Sequence, residues 1–411
     1  MLCATFVSDA DPRPIVPLTH VCRYWRRSIG SNPRSWASIA TGWKRLVPLC
    51  LERAGAVPLA IDITVPEVKG DLEFINALSP HVARVAHLSL AGYPTIEAVA
   101  NDLPNLLTSP MPNLTSLELQ QVEEPAELFP SNGAHIPPIF QEVSKLKSLC
   151  LTRTPIYPAL FNIASLVELK LIGYTRPFLF GTSVGFLASN NDLETVVLDV
   201  KFVEGSVWRI PTRMVPLARL RHLTITCTNP TDAKGLLSCI SLHIGTRLEV
   251  FCSHWVSPDS YLPSPPTPVQ KILTPITVIK LQNTPWEFHA FGDNGSFSFR
   301  TSQAILRIPD LLLFPTYSVR EFHVNNAPWT FTPVFLVLTL GRLPALETLV
   351  ITNTTSWATG TFESLAVQPL LCPSLKTIVF FDCTLTPEVM KELEGVVEKR
   401  KGMEAAWFRV Q

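Results

Sequence analysis

The residues that could carry chemistry in this chain are one serine motif, the histidines, the cysteines and a group of arginines. Gly181 to Gly185 reads "GTSVG". This is the G-x-S-x-G pattern that exposes a nucleophilic serine at a sharp strand-to-helix turn. Such a nucleophile needs a broad α/β sheet around it. Ser183 instead lies between two short apolar segments that begin at Leu166 and Leu193, only 27 residues apart. That leaves no room for the architecture, so Ser183 reads as part of a loop-to-helix turn. None of the 9 histidines stands in H-E-x-x-H or another tight ligand spacing. No glycine-rich phosphate loop is present. The 9 cysteines are odd in number and scattered, with no C-x-x-C pair. They suggest neither a metal site nor a disulfide framework, and they fit a reducing cytoplasmic or nuclear compartment. The expectation is a chain with no catalytic residues, no metal and no cofactor.

Arg23, Arg26, Arg27 and Arg34 could touch phosphate. However, Lys+Arg 34 balances Asp+Glu 34 across the 411 residues. No global basic field exists to hold nucleic acid or an anionic membrane, so these arginines read as a solvated face. Apolar residues make up 46% of the chain, enough for a large core. No uninterrupted apolar run reaches 18 residues, and "PVFLVLTLG" from Pro333 is too short to span a bilayer. "MLCATFVSDADPRP" has no basic segment followed by an apolar one, so no signal peptide is expected.

The elements that must position any functional surface come from a repeat. The pattern apolar-x-x-apolar-x-apolar recurs as "VAHLSL" from Val85, "LTSLEL" from Leu114, "LKSLCL" from Leu146, "LVELKL" from Leu166 and "LETVVL" from Leu193. It continues as "LRHLTI" from Leu220, a degraded "LEVFCS" from Leu248, "ITVIKL" from Ile276, "VREFHV" from Val319, "LETLVI" from Leu346 and "LKTIVF" from Leu375. Eight of the ten intervals lie between 27 and 32 residues. This is the leucine-rich-repeat pattern. Its last four positions predict a short strand whose alternate apolar residues point inward. One such strand cannot bury its apolar face alone, so neighbours must stack into a parallel sheet.

The outward central row then reads Ser89, Glu118, Cys150, Lys170, Val197, Thr224, Lys280, His323, Val350 and Val379. Solenoids present such a face as a broad concave surface. Glu118, Lys170, Lys280 and His323 are therefore candidates for fixing the register of an extended partner, with Val350 and Val379 as its apolar anchor. Three residues past the last strand apolar, Cys383, Thr154 and Thr354 occupy the place where a side chain can satisfy loop backbone groups. Two segments between the strands stand out. Residues 257–268 are a proline-rich loop. In "WEFHAFGDNGSFSFR", Trp286, Phe288 and Ala290 alternate before Asn294-Gly295, and Phe297 and Phe299 alternate after it. That predicts a hairpin, either covering a sheet edge or core or inserted as a binding element. In "TPEVMKELEGVVEKRKG", Thr386 at the N-cap, Pro387 and Glu388 start a helix, and Lys399, Arg400 and Lys401 end it to suit the helix dipole. It reads as a polar cap on the array.

Toward the N-terminus, "LTHVCRYWRRSIGSNPRSWASI" spaces Leu18, Val21, Cys22, Trp25 and Ile29 as one apolar helical stripe. Gly30 is placed to end the helix and Asn32-Pro33 to turn, before a second apolar segment at Trp36 and Ile39. This stretch resembles the second half of the F-box-like domain of fungal, basidiomycete-type F-box proteins with leucine-rich repeats. Val21, Cys22, Trp25, Arg26, Ile29, Pro33, Trp36 and Ile39 carry the resemblance. It extends through "ERAG" at Glu52 to Gly55 and the "PL"-initiated segment at Pro58 to Ile63. The first half of the motif, "LPxELLxxIF", is not in the sequence. Either the reading frame begins upstream of Met1, or the element is decayed.

The expected fold is α/β, a leucine-rich-repeat solenoid with a short helical remnant of the F-box. Residues 1–42 form the partial F-box-like segment, 43–84 a helix–strand lead-in, 85–385 the irregular solenoid with its hairpin near 286–299, and 386–411 the capping helix and tail. The resemblance implies a non-catalytic substrate-recognition subunit of a Skp–cullin–F-box ubiquitin ligase. A protein substrate would lie on the repeats, and a Skp-type adaptor and cullin would join through the F-box if it is completed upstream. The alternative is an interaction scaffold that has lost adaptor binding.

Overall fold

The computed structural model describes residues 20, 22–68, 72–95, 103, 109–124, 144–156, 160, 163–178, 180–202, 214–253, 272, 274–283, 286–301, 316–325, 333–354, 360, 362–368, 371–400 and 404–410. The fold is mixed α/β and divides into two compact units, Met1–Glu204 and Gly205–Gln411. The 257–268 loop and Lys401 lie outside the described residues.

The first unit runs α1 (Arg23–Ser31), β1 (Ser38–Ala40), α2 (Val47–Ala54), β2 (Leu59–Thr64), α3 (Val65–Val68), α4 (Leu72–Leu78), β3 (Val85–Tyr93), β4 (Ser116–Gln121), β5 (Ser148–Thr152), β6 (Glu168–Phe178), α5 (Phe180–Ser189) and β7 (Thr195–Phe202). β1 to β7 pair parallel in sequence order. The physical cause is the repeat. Leu88, Leu90, Leu117, Leu119, Leu149 and Leu151 are all fully buried, so each strand covers the apolar face of the next.

After several strands the chain turns sharply in one recurring form. The second residue past the last inward strand residue has positive φ: Gly92, Arg153 and Gly173 in this unit, and Asn353 and Asp382 in the other. Glycine suits this conformation best. At Gly92 a Cβ would also press within 3.1 Å of Pro66 Cδ. The next residue faces inward, which is the role predicted for Thr154. Thr154 Oγ1 donates to the carbonyls of Leu119 and Thr152, both at 3.1 Å, and lies 3.1 Å from the Tyr93 hydroxyl. Tyr174 Oη donates to Thr154 O at 2.6 Å. Burial raises the Tyr174 phenol well above its ordinary pKa, so it stays a neutral donor. Cys383 does the corresponding work in the second unit, donating to Ile351 O at 3.4 Å and Phe381 O at 3.3 Å. Thr354 donates to Thr352 O at 3.4 Å.

The second unit comprises β8 (Val215–Leu217), β9 (His222–Cys227), α6 (Pro230–Cys239), β10 (Ile240–Leu242), β11 (Arg247–Cys252), β12 (Ile276–Asn283), β13 (Trp286–Gly292), β14 (Gly295–Thr301), β15 (Glu321–Asn325), α7 (Pro333–Leu340), β16 (Thr348–Thr352), α8 (Glu363–Val367), β17 (Thr377–Cys383), α9 (Pro387–Lys399) and β18 (Glu404–Val410). Its main sheet has the order β9-β11-β14-β13-β12-β15-β16-β17-β18, with β8 and β10 forming a separate parallel pair. The eleven repeat strands lie where the pattern places them, with one register correction. β11 aligns Leu248 with Leu223 and Val250 with Ile225. The repeat there begins at Gly245, not Leu248, and it escaped the pattern because Gly245 stands where an apolar residue does elsewhere. Thr246 Oγ1 donates instead to Leu220 O and His243 O.

The hairpin is neither a cover nor a protruding loop. β13 and β14 lie inside the sheet: β14 pairs parallel with β11, β13 antiparallel with β14, and β12 antiparallel with β13. Phe288, Ala290, Phe297 and Phe299 are buried in the same layer as the repeat leucines. Their volume is what holds the hairpin in the sheet rather than over it. The loop is Asp293-Asn294, one residue earlier than predicted, since Gly292 pairs with Gly295. A Cβ on Gly295 would come within 2.5 Å of Thr246 O, and its φ is +142°. Glycine is therefore required where β14 joins β11.

The C-terminal helix starts as predicted, with Thr386 Oγ1 accepting from Val389 N at 3.4 Å. Its end differs. Arg400 is buried and donates to the carbonyls of Leu365, Gln368, Leu371 and Cys372. It closes the 365–372 turn rather than complementing a dipole. Nor is the helix a terminal cap, because β18 follows it and pairs parallel with β17. Within β18, Trp407, Phe408 and Val410 are strand-favouring residue types, but the segment lacks the repeat spacing.

Candidate functional site

The outward side chains form a register-matched row in each unit. In the first unit Asp62, Ser89, Glu118, Cys150, Lys170 and Val197 are successive Cα partners. All are half-buried, because neighbours on strands about 4.8 Å apart shield one another. Lys170 Nζ lies 2.8 Å from Glu168 Oε1, and Ser148 Oγ donates to Glu168 Oε2 at 2.7 Å. Burial raises the Glu168 carboxyl, but the hydrogen bonds from Lys170 and Ser148 outweigh it and lower the pKa. The hydrogen bond to Glu168 raises the pKa of Lys170. Burial, reinforced by Glu118, pushes the Cys150 thiol up to about 11, so it is a neutral thiol at neutral pH. Glu118 and Lys170 thus lie two strands apart, and Lys170 already has an anion.

In the second unit the row is Thr224, Glu249, Ser298, His289, Lys280, His323, Val350 and Val379. Lys280 and His323 are brought side by side. Val350 is a correction: at 8% exposure it is buried between His323 and Val379 and offers no surface anchor. Val379 keeps partial exposure. The sequence reading missed Glu249, through the register of its repeat, and His289 and Ser298, which the intercalated hairpin places between the repeat strands. The signal was present: with Phe288, Ala290, Phe297 and Phe299 inward, the residues between them must face outward.

Three carboxylates on this face are paired locally. Glu249 takes Arg247 Nη2 at 2.6 Å, Glu287 takes His289 Nε2 at 3.0 Å as well as Arg300, and Glu321 takes His323 Nε2 at 3.1 Å. A cavity of about 420 Å³ opens over β11, β14, β13, β12 and β15, with Arg247, Lys280, His289, Phe291, His323 and Asn325 in its lining. The His289 and Phe291 rings stack at 6.1 Å, and Lys280 Nζ sits 5.5 Å from the Phe291 ring centre.

The N-terminal motif residues behave differently. Val21 lies outside the described residues. Cys22 caps α1, its Sγ accepting from Trp25 N at 3.5 Å. The helix runs through Gly30 and ends at Ser31, and Asn32 then caps a 3-10 turn over Pro33–Trp36, its side chain accepting from Arg34 N. Ile29, Trp36 and Ile39 are buried. Trp36 Nε1 donates to Ile29 O at 2.9 Å, and the Arg53 guanidinium lies 4.3 Å from the Trp36 ring. Ile39 belongs to β1 and pairs with Ile61. Cys22, Arg26 and Pro33 are exposed and Trp25 half-buried.

Ser183 lies within α5, not at a turn. Its Oγ is buried and has no hydrogen-bond partner among the described residues. Among the described residues there is also no metal-holding group of His, Cys, Asp or Glu, and no helix long and apolar enough to cross a membrane. No protein-family model matches the chain, and no curated protein matches it.

Proposed function

We propose that this chain is a non-catalytic target-recognition protein that holds another protein on the outward face of its repeat strands. The observation that carries the reading is the register-matched outward row, which offers polar and apolar groups on strand after strand. The leucine-rich-repeat solenoid is the architecture that accounts for this row. The resemblance of Val21 to Ile39 to half an F-box extends the reading to a substrate-recognition subunit of a Skp–cullin–F-box ubiquitin ligase, with transfer chemistry supplied by partners.

A standard stable interface buries about 1,600 Å² in total. Loss of one docking helix removes a large share of such an area. Residues 1–411 are therefore expected to bind a purified Skp-type adaptor weakly or not at all, and tightly once an "LPxELLxxIF" helix is joined upstream. If the added helix restores nothing, the ligase reading falls and the scaffold without adaptor binding replaces it. That second reading has an observation of its own: Ile29, Trp36 and Ile39 are already consumed in this chain's core.

A further inference from the structure

The cavity over the intercalated hairpin has a charge pattern that the rest of the row lacks. Its lining includes Arg247, Lys280, His289 and His323 and no carboxylate. His289, Lys280 and His323 are Cα partners on adjacent strands, so three basic side chains share a span of roughly 10 Å. Glu287 and Glu321 answer the two histidines, each on its own strand and outside the lining, while Glu249 answers Arg247. Among the described residues no carboxylate pairs with the exposed Lys280; it faces the Phe291 ring. Among the described residues the centre of the basic row is thus without a counter-ion, and it lies in the cavity.

We propose that this pocket receives an anionic group, a carboxylate or a phosphoryl, carried by an extended stretch of the target protein. The Lys280 ammonium is its charge partner. His289, His323 and Asn325 flank it as hydrogen-bonding groups, and Phe291 packs against the apolar part of the same side chain. The inserted hairpin is therefore a recognition element, because it supplies His289 and Phe291 and sets them beside Lys280. The inference rests on the reading that this face holds a protein, and it names the chemistry of that protein.

The test uses short fluorescein-labelled synthetic peptides of one neutral sequence, with serine, glutamate or phosphoserine at the centre, added to the full chain and followed by anisotropy. The glutamyl and phosphoseryl peptides should bind and the seryl peptide should not. Binding of the phosphoseryl form alone, competed by inorganic phosphate, assigns the phosphoryl source; equal binding of both anionic peptides assigns a carboxylate. Lys280→Gln should weaken binding by about tenfold, as expected for losing a charge-assisted hydrogen bond. Lys280→Arg should retain it, and Lys170→Gln in the first unit should leave it unchanged. Lys280 is exposed, so an unaltered thermal melt separates loss of binding from loss of fold. Failure of both anionic peptides, equal binding of the seryl peptide, or indifference to Lys280→Gln overturns the inference. A target found by proximity labelling and shown to bind the purified chain separates the two levels: if Lys280→Gln binds it undiminished, the pocket fails while target recognition stands.

Discussion

The two units are built from the same repeat but treat their outward face differently. In the first, seven strands follow one another in parallel without interruption, and the charged pair on the row, Lys170 with Glu168, is satisfied within one strand. In the second, two antiparallel strands enter between β11 and β12, and the row acquires His289 and Ser298 beside Lys280. A regular repeat gives each outward residue the same kind of neighbour. An inserted hairpin breaks that sameness and opens a cavity onto Lys280, which no carboxylate among the described residues pairs. The inward side differs as well. The first unit joins Tyr93, Thr154 and Tyr174 through buried hydroxyls, while the second fills the inserted strands with phenylalanine.

The largest way to break this comparison is to empty the hairpin's inward layer. Phe297→Ala is expected to destabilise the second unit by about 3–5 kcal/mol, because a fully buried ring leaves a cavity. Local hydrogen exchange should show the loss in residues 286–301 and leave the first unit's strands protected. Next in size is Thr154→Val. It keeps the shape but leaves the Tyr93 hydroxyl and the Leu119 carbonyl short of a partner, at a cost of about 1–3 kcal/mol. Denaturant melts of Thr154→Val and Thr354→Val would sharpen the contrast. Among the described residues the Thr354 hydroxyl has a single, longer bond of 3.4 Å, so its loss should cost less.

Acid titration probes the paired row. Glu168 has a lowered pKa in the folded chain, so its contribution is present above the ordinary carboxylate pKa near 4.5 and is lost as pH falls through the folded value. The pair is partly exposed, and its worth is under about 1 kcal/mol. The stability difference between the unmodified chain and Glu168→Gln should therefore be small at pH 7 and vanish once the pH falls below the lowered folded pKa, where both side chains are neutral. The smallest expected effect is on thiol chemistry. Cys150 faces outward, yet its pKa of about 11 leaves little thiolate, so iodoacetamide should modify it slowly at neutral pH and markedly faster near pH 10. Rapid modification at pH 7 would contradict the burial of that row.

Much of this was legible in the residues. Leu117 and Leu119, Leu149 and Leu151, and Leu349 and Ile351 announce strands by spacing alone, because an inward pair at alternate positions only makes sense against a neighbour of the same kind. Thr154, Thr354 and Cys383 announce a loop-satisfying role by standing just past a strand. The α9 start was legible too, since Thr386-Pro387-Glu388 specifies a helix start through local hydrogen bonding and a fixed φ.

Other features depend on residues far apart in the chain, and only the tertiary structure decided them. Local spacing marks Phe297 and Phe299 as a strand, but its position beside β11 depends on Gly295 meeting Thr246 and on aromatic volume matching the leucine layer. The burial of Val350 depends on His323 and Val379 on either side, and the inward turn of Arg400 on carbonyls more than 25 residues away in sequence. The clustering of Lys280 with His289 and His323 follows from one choice of strand partner. Period and polarity fix which face a residue points to, because the strand repeat is local. They do not fix which residue lies next to it across the sheet, because that is settled by which strands pack together.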